Sequence, residues 1–398
     1  MVALIFQRST FIKNSRARSK REKRRVVIVT DSLHPWNFGG KEERIRSLQN
    51  TSLLQGDSEF EIIYATMKWW EGDDPANHIA ISPLRPMYKG SKRSIRTSLL
   101  FALNAFRVIK LKPEIIEADQ IPILPIFVLK IVSLITRAPL SVTWHEVWEV
   151  NYWREYLGRF GWLAANLEKL AMRLPDQIIA VSVPTRFKLI RAGVPESKIE
   201  LIHNDVDMAG IRNAVTKLPK SDLLFAGRLI ENKRLHIALR AVSLLKEQGV
   251  MVTLALVGDG PELEYLKQLA KELGISRLVT FHGFLENNSD VWGLMKKCPI
   301  FISPSTREGF GFSVAEAHVA GARIIMADHP ENAAHYYLAD KERVTCIEGD
   351  DPRNYATALL EKLKEANFTP IHTVEDELSL FGKYASTWTS LLNGRMGA

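Results

Sequence analysis

The sequence lacks the features that mark several protein classes. Cysteine is scarce: Cys298 and Cys346 are the only two in 398 residues, too few for a disulfide framework, and no Cys/His spacing resembles a zinc site. The longest apolar segment, residues 121–135, includes two prolines and a lysine and is shorter than the roughly 20 apolar residues of a membrane-spanning helix. No Gly-x-Gly-x-x-Gly motif is present, which argues against a standard dinucleotide-binding domain. We expect a cytoplasmic protein that lies on a membrane surface at most.

The folded body also lacks net charge, although the whole chain carries +8. Residues 1–25 hold nine basic residues and one acid, so this basic leader alone supplies +8 and residues 26–398 are balanced. A basic leader allows a nucleic-acid-binding protein as one reading, but the neutral body argues against it. With 46% apolar and 25% charged residues, the body is that of an ordinary globular protein of two or more domains.

One internal segment is strongly basic. Residues 85–112 contain eight basic side chains and no acid, and they surround an apolar stretch at residues 99–106. Basic flanks around an apolar helix indicate binding to an anionic membrane surface. The alternative is a core helix whose lysines and arginines reach out to solvent. Four tryptophans that follow (Trp144, Trp148, Trp153 and Trp162) add to the membrane interpretation, because tryptophan is enriched at interfaces.

Short apolar runs alternate with helical patterns along the body, as in a doubly wound α/β domain. The strands are predicted at residues 26–30, 61–65, 115–117, 141–144 and 177–181, and again at 223–226, 253–257, 279–282, 300–303 and 323–326. The rhythm restarts after a polar linker at residues 207–221. We predict a flexible leader (1–25), an N-terminal domain (26–206), a C-terminal domain (207–375) and a last helix (376–398) that packs back toward the N-terminal domain.

Ligands of open α/β sheets bind at the carboxyl ends of the strands, and candidate residues follow several of these strands. Gly39 and Gly40 precede a helix, where a backbone without side chains lets an anion approach, although a tight turn explains them equally well. His145 follows the fourth strand and faces the cleft, with a hydrogen-bonded loop histidine as the plain alternative. Arg228 and Lys233 follow the first C-terminal strand and suit a diphosphate, unless they belong to a solvated basic loop.

The segment from Glu308 to Glu316 is the most specific. Gly309 and Gly311 expose backbone N–H groups, including those of Phe310 and Phe312, beside a helix start. Residues 313–316 also match a capping box, so Glu316 has a structural alternative, but capping explains neither Glu308 nor the glycines. A carboxylate accepts hydrogen bonds from two neighbouring sugar hydroxyls well. Asp205 and Asp207 have the spacing of a divalent-metal motif, yet they lie at the linker, and we predict no metal site.

Taken together, these motifs resemble the family 4 glycosyltransferases of the GT-B fold, over residues 26–392. The motifs occur in that family's order: Gly39-Gly40; His145; Ala180-Val-Ser182 with Ala192-Gly-Val-Pro195; Ile202-His-Asn-Asp-Val-Asp207; Gly227-Arg-Leu229 with Lys233; Val257-Gly-Asp-Gly-Pro261; and the E-x7-E signature Glu308-x7-Glu316. The resemblance implies two Rossmann-like domains that face a central cleft, and retaining transfer of a sugar from a UDP- or GDP-sugar to an acceptor hydroxyl without a catalytic metal or other cofactor.

The resemblance also implies a role for each matching position. Arg228 and Lys233 would bind the donor diphosphate, with Gly40 approaching it from the N-terminal domain. Glu316 would hold the ribose, and Glu308 the transferred sugar. The backbone N–H groups of residues 310–312 would help Glu308, and His145 would contact the sugar near the reacting centre.

The N-terminal domain would take the acceptor, expected to be a lipid-linked glycan at the cytoplasmic membrane face. A sugar-nucleotide epimerase of the same fold is the alternative within the family's architecture. The sequence departs from the family pattern at residues 203–207 and 328–332, and the second departure leaves the donor open.

Overall fold

The computed structural model describes residues 23–37, 39–50, 60–89, 92–339, 342–364, 387, 388 and 390. The elements of the N-terminal half are, in chain order, β1 (Arg24–Val29), α1 (Gly40–Asn50), β2 (Phe60–Met67), β3 (His78–Ser82), β4 (Tyr88–Lys89), β5 (Lys92–Arg93), α2 (Ile95–Asn104), β6 (Ile115–Asp119), α3 (Leu124–Thr136), β7 (Leu140–Trp144), α4 (Val150–Leu157), α5 (Gly161–Ala171), β8 (Gln177–Ala180), α6 (Val183–Arg191) and β9 (Ile199–Leu201).

The C-terminal half repeats the alternation of strands and helices. Its elements are α7 (Met208–Asn213), β10 (Leu223–Ala226), α8 (Leu235–Glu247), β11 (Leu254–Val257), α9 (Leu263–Glu272), β12 (Val279–Gly283), α10 (Asn288–Lys297), β13 (Ile300–Ser303), α11 (Phe312–Val319), β14 (Arg323–Asp328), α12 (His335–Leu338), β15 (Val344–Glu348) and α13 (Pro352–Lys364).

Each half is built on a parallel sheet. The first has the strand order β3-β2-β1-β6-β7-β8-β9 and the second the order β12-β11-β10-β13-β14-β15. Central strands such as β1 and β10 are apolar and buried on both faces, because helices cover both sides of each sheet. The strand order reverses between β1 and β6 in one sheet and between β10 and β13 in the other. These switch points open crevices at the carboxyl ends of the strands. The predicted fold class, two Rossmann-like α/β domains, is confirmed.

Several details differ from the sequence prediction. Strands β3, β9 and β15 were not predicted: each lies at the edge of its sheet and all are short or only partly buried, so their apolar runs are weak. The expected linker at residues 207–221 contains α7, which packs against α10 and α11. The leader and most of the predicted last helix lie outside the described residues, although Arg24 and Arg25 belong to β1.

Trp388 is a described residue of the predicted last helix. Its side chain is buried in the core of the N-terminal half, among apolar residues that include Val26, Ile28 and Ile45. The chain thus returns from the C-terminal half to the first sheet.

No helix among the described residues has both the length and the apolar character needed to cross a membrane.

Candidate functional site

The loop after β13 brings the most specific candidate residues into one place. Glu308 is fixed by its backbone, whose N–H donates to the carbonyl of Glu331 and whose carbonyl accepts from Ala333 N–H. Its side chain pairs with Lys233, whose Nζ lies 2.5 Å from Glu308 Oε1. Both side chains are mostly buried, while Arg228 on the same loop as Lys233 is exposed. The predicted cations and the first carboxylate of E-x7-E therefore share one edge of the C-terminal sheet.

The glycines of this loop allow the two halves of the molecule to meet. A Cβ on Gly309 would lie 2.6 Å from the carbonyl oxygen of His145, so any larger residue would push the loop away from the N-terminal half. Gly311 has φ +86°, a left-handed conformation that favours glycine, and it starts α11. Similarly, a Cβ on Gly40 would lie 3.3 Å from the ring of Phe312. The tight approach brings His145 and Gly40 to the donor-side loop.

Glu316 lies on the second turn of α11, and the capping box considered as its structural alternative does not form. The N-cap residue is Gly311, which has no side chain to cap the helix, because the chain enters α11 through a left-handed turn. Instead, Glu316 Oε1 accepts a hydrogen bond from Trp292 Nε1 at 2.9 Å. Burial raises the pKa of the Glu316 carboxyl to about 8, even with that hydrogen bond. The side chain is held inward and points away from the helix end.

A pocket of about 370 Å³ lies on the far side of Trp292. It is lined from both halves of the chain by polar residues that include His34 and Arg46 of the N-terminal half and Asn213 and Glu286 of the C-terminal half. The Arg46 guanidinium stands 5.7 Å from the centre of the Trp292 ring, a cation–π contact. The pocket is therefore polar and has an aromatic wall, Trp292, whose Nε1 donates to Glu316.

His145 belongs to a buried charged network that sequence reasoning missed. Its Nε2 lies 3.0 Å from Asp119 Oδ1, and Arg44 Nη2 donates to the same oxygen at 2.9 Å. Burial by itself raises the pKa of Asp119, but Arg44 and the hydrogen bond from His145 outweigh it, so that pKa lies well below its usual range. An acidic residue at the carboxyl end of β6, beside the strand that carries the histidine, is the signal that points to Asp119.

A second charged group lies at the end of β1. Asp31 pairs with Lys41, whose Nζ is 2.5 Å from Oδ1, and with Arg93 through the other carboxylate oxygen. Burial raises the pKa of Asp31, but these two cations outweigh it and lower that pKa overall. Lys41 follows Gly40 at the start of α1, and Gly39 accepts from Glu43 N–H through its carbonyl. The Gly39-Gly40 turn thus places an ion pair at the cleft that the sequence did not reveal.

Contacts between the halves border the same cleft. Arg307, next to Glu308, pairs with Glu146 and stands 3.8 Å from the ring centre of Tyr152 on α4. Lys188 on α6 pairs with Glu331 at 2.7 Å. Because Arg307 and Glu331 both flank the Glu308 loop, the loop's position is tied to the N-terminal half.

Other candidate residues have structural roles. Asp207 Oδ1 accepts from Gly210 N–H at 2.8 Å and caps α7, as an aspartate at a helix start does. Within the described part of the chain, no three His, Cys, Asp or Glu side chains gather into a group that would hold a metal ion.

Of the four tryptophans, Trp144 and Trp153 are buried and only Trp162 is strongly exposed, so a membrane-facing cluster of all four is wrong.

Known protein families match most of the chain. Residues 55–209 match the family Glycosyltransferase Family 4, and residues 211–370 match the family Glycosyl transferases group 1. The chain is 28% identical over 215 residues to the putative colanic acid biosynthesis glycosyltransferase WcaL of Escherichia coli, covering 52% of this chain and 50% of WcaL.

It is 27% identical over 175 residues (43% of this chain, 46% of the relative) to a Campylobacter jejuni enzyme. That enzyme is N-acetylgalactosamine-N,N'-diacetylbacillosaminyl-diphospho-undecaprenol 4-alpha-N-acetylgalactosaminyltransferase. The chain spans about half the length of the curated relatives it matches.

Solved structures share the fold. Anabaena Alr3699/HepE in complex with UDP and glucose superposes with a TM-score of 0.67 at 18% identity, covering 92% of this chain and 99% of that one. WaaG, a glycosyltransferase involved in lipopolysaccharide biosynthesis, gives a TM-score of 0.63 at 16% identity, covering 91% and 95%. The two family matches together span most of the chain, and both sheets have the GT-B architecture. The chain belongs to the family 4 glycosyltransferases, with the GT-B fold.

Proposed function

We propose that the protein transfers a sugar from a nucleotide-sugar donor to an acceptor hydroxyl, with retention at the anomeric carbon. The observation that carries the proposal is the convergence of Lys233, Glu308 and His145 at one cleft. Lys233 Nζ touches Glu308, and the loop that carries Glu308 packs against the carbonyl of His145. A cation, a carboxylate and an imidazole arranged in this way suit a diphosphate leaving group, sugar hydroxyls and the reacting carbon, respectively.

The donor lies along the C-terminal edge of the cleft. Lys233 and the exposed Arg228 bind the diphosphate, and Gly40 at the start of α1 approaches it from the other half. Glu316 holds the ribose hydroxyls, and the polar pocket beyond Trp292 offers room for the base. Glu308 and the N–H groups of residues 310–312 hold the transferred sugar. UDP-sugars come first in a donor screen because related structures were solved with UDP, and GDP-sugars follow.

The transfer needs no enzymic nucleophile. The bond from the anomeric carbon to the diphosphate oxygen breaks, and the acceptor oxygen forms its bond on the same face. The leaving phosphate takes the acceptor's proton, so charge and atoms balance. Lys233 and Arg228 stabilise the negative charge that develops on the diphosphate. His145, held by Asp119, contacts the sugar at this point.

The acceptor is a lipid-linked glycan or polysaccharide precursor at a membrane face. Support comes from an exposed apolar surface on α2, α3 and the turn after α2, called here the apolar N-terminal face: Leu99, Leu103, Phe106, Leu134 and Ile135. Leu134 is 69% exposed, and α2 packs directly on α3, so these exposed side chains lie on neighbouring elements. Exposed basic residues surround it: Arg96, Arg107, Lys110, Lys112 and Arg137. Apolar side chains with a basic rim fit an anionic lipid surface.

A thermal-shift screen against UDP, GDP, ADP and their sugars tests the donor, because a ligand that binds the folded state raises its melting temperature. We expect one nucleotide series to stabilise the protein and its sugar to support transfer, with the product's anomeric configuration read by NMR. Glu316→Ala and Lys233→Ala should remain folded and lose transfer. Near-normal turnover in both variants would refute the assignment.

Vesicle flotation tests the membrane surface separately. The full chain should bind phosphatidylglycerol vesicles and bind phosphatidylcholine vesicles less, at low salt. The double variant Leu99→Ser/Leu134→Ser should lose binding, whereas Met251→Ser/Tyr265→Ser, which changes two exposed apolar residues of the C-terminal half, should keep it. Deletion of residues 1–22 separates the leader's contribution. Equal binding by both double variants would remove the apolar N-terminal face from the proposal.

A further inference from the structure

A continuous chain of buried hydrogen bonds joins the C-terminal segment to His145. Trp388 Nε1 donates to Glu117 Oε2 at 2.5 Å. Arg44 Nη1 donates to Glu117 Oε1 at 2.7 Å, and its Nη2 donates to Asp119 Oδ1 at 2.9 Å. His145 Nε2 meets that same oxygen at 3.0 Å. The side chains of Arg44 and Glu117 are fully buried and that of Asp119 is 1% exposed, so water does not substitute for the links among these three side chains.

Trp388 is a specific partner in this chain and more than a core side chain. Among the described residues, Glu117 Oε1 accepts from Arg44 and from Thr143 Oγ1, whereas Oε2 accepts from Trp388. A buried carboxylate that loses a donor is costly, and it recovers the loss by drawing its remaining donors closer. One of those remaining donors is the Arg44 guanidinium, which Glu117 shares with Asp119. Loss of the Trp388 N–H should therefore weaken the hydrogen bond between Arg44 and Asp119.

The geometry points to Trp388 as a positioning residue for His145, acting through Glu117, Arg44 and Asp119. The inference rests on the proposed function only where turnover is measured. In the intact protein Arg44 donates from Nη1 to Glu117 and from Nη2 to Asp119. These two hydrogen bonds together fix how Asp119 holds the imidazole of His145. The C-terminal segment, which follows the donor-side domain in sequence, thereby helps to set the histidine of the acceptor-side domain.

Two variants move the shared guanidinium in opposite directions. In Trp388→Phe, which keeps an aromatic ring and removes the N–H, Arg44 shifts toward Glu117 and leaves Asp119 less neutralised. Asp119 then favours the protonated imidazole, and His145 should titrate at a higher pH. In Glu117→Gln, Arg44 turns fully to Asp119, and His145 should titrate at a lower pH. Because Glu117→Gln also removes a negative charge, which by itself lowers the pH at which the imidazole titrates, the upward shift in Trp388→Phe is the result that distinguishes the network from a loosened core.

The primary experiment is an NMR titration of the ring nitrogens of His145 in ¹⁵N-histidine-labelled full-length protein, assigned with His145→Gln. Trp153→Phe is the matched control, because Trp153 is also a buried tryptophan whose Nε1 donates to a buried carboxylate, Glu168, at 2.8 Å. We expect an upward shift in Trp388→Phe, a downward shift in Glu117→Gln and no shift in Trp153→Phe. No shift in Trp388→Phe, or shifts of equal sign in both test variants, would overturn the inference whether or not the protein is a transferase.

Turnover gives the second readout. Trp388→Phe should lower kcat/KM about tenfold in the native background and leave it nearly unchanged when Asp119→Asn is already present, because residues in one network are coupled. Trp153→Phe should lack that dependence on Asp119. If Trp388→Phe lowers kcat/KM equally in both backgrounds, the network does not transmit its effect and the inference fails. Absence of turnover in the native protein would count against the proposed function alone.

Discussion

The two halves of the molecule share an architecture and treat charge in opposite ways. Beneath the N-terminal side of the cleft, Arg44 and Glu117 are fully buried and paired with one another. On the C-terminal side, Lys233 and Glu308 keep 15% and 11% of their side chains exposed, and Arg228 is exposed. Apolar side chains show the opposite distribution. Most of the strongly exposed large apolar side chains among the described residues lie in the N-terminal half.

This difference fits the proposed division of the site between a nucleotide-sugar donor and an acceptor. Buried, mutually satisfied charges have a fixed geometry, which suits the support of a histidine near a reacting carbon. Partly exposed charges at the end of a sheet remain available to a polyanionic ligand. The exposed apolar residues fall in the half assigned to the acceptor. The halves can therefore be tested against each other by removing charges of each kind.

The largest effect is expected on stability, from the buried charge of the N-terminal half. Arg44→Met leaves Glu117 and Asp119 without their shared cation and should lower the free energy of unfolding by about 3–5 kcal/mol. Urea denaturation measures the change. Arg240→Met, which removes an exposed arginine on α8, should change stability little. If Arg44→Met lowered the free energy of unfolding no more than Arg240→Met, the buried network would contribute no more to stability than an exposed arginine.

The next effect is expected on catalysis, from the partly exposed charge of the C-terminal half. Lys233→Ala should lower kcat roughly 10²–10³-fold, as loss of a group that stabilises developing charge does, with little change in unfolding free energy. Steady-state kinetics with the donor found in the thermal screen measures it. Lys271→Ala, an exposed lysine on α9, is the control. A variant that unfolds while its residual kcat is normal would assign Lys233 to stability.

Glu316 gives an intermediate effect that depends on pH. Its folded-state pKa of about 8 is raised by burial above the usual value, so the folded protein retains this proton to a higher pH than the unfolded chain. Stability should therefore fall as pH rises from about 4.5 through 8. Glu316→Gln removes the titrating group, so we expect the decline in unfolding free energy to become smaller by roughly 2 kcal/mol. The figure is this low because solvent screens the partly exposed carboxyl. Unfolding midpoints of both proteins at pH 5, 6.5 and 8 would reveal it, and parallel curves would contradict it.

The smallest effect concerns the helix that joins the halves. Asp207→Ala removes the N-cap of α7 and should cost about 1 kcal/mol of unfolding free energy. Asp207→Asn keeps an oxygen acceptor and should cost less. If Asp207 instead bound a metal, both variants would change the response of activity to added Mg²⁺ or Mn²⁺. We expect that response to be the same in the native and variant proteins.

Local sequence patterns predict much of the fold. The predicted strands at residues 223–226 and 300–303 match β10 and β13, because strands buried on both faces appear in the sequence as continuous apolar runs. Edge strand β15 has a weaker pattern, because its exposed positions break the apolar run. The capping box at residues 313–316 failed because a left-handed glycine, which a pattern of side chains does not reveal, begins the helix.

The sequence by itself determined the alternation of strands and helices, the family and the order of the motifs, since each depends on residues close together in the chain. It marked Lys233 and Glu308 as candidates but gave no sign that they touch. Only the tertiary structure decided the charged network under His145, whose members Arg44, Glu117 and Trp388 come from distant segments. Burial of a charge depends on what surrounds it in space, and the residues that surround it are set by the packing of the whole chain.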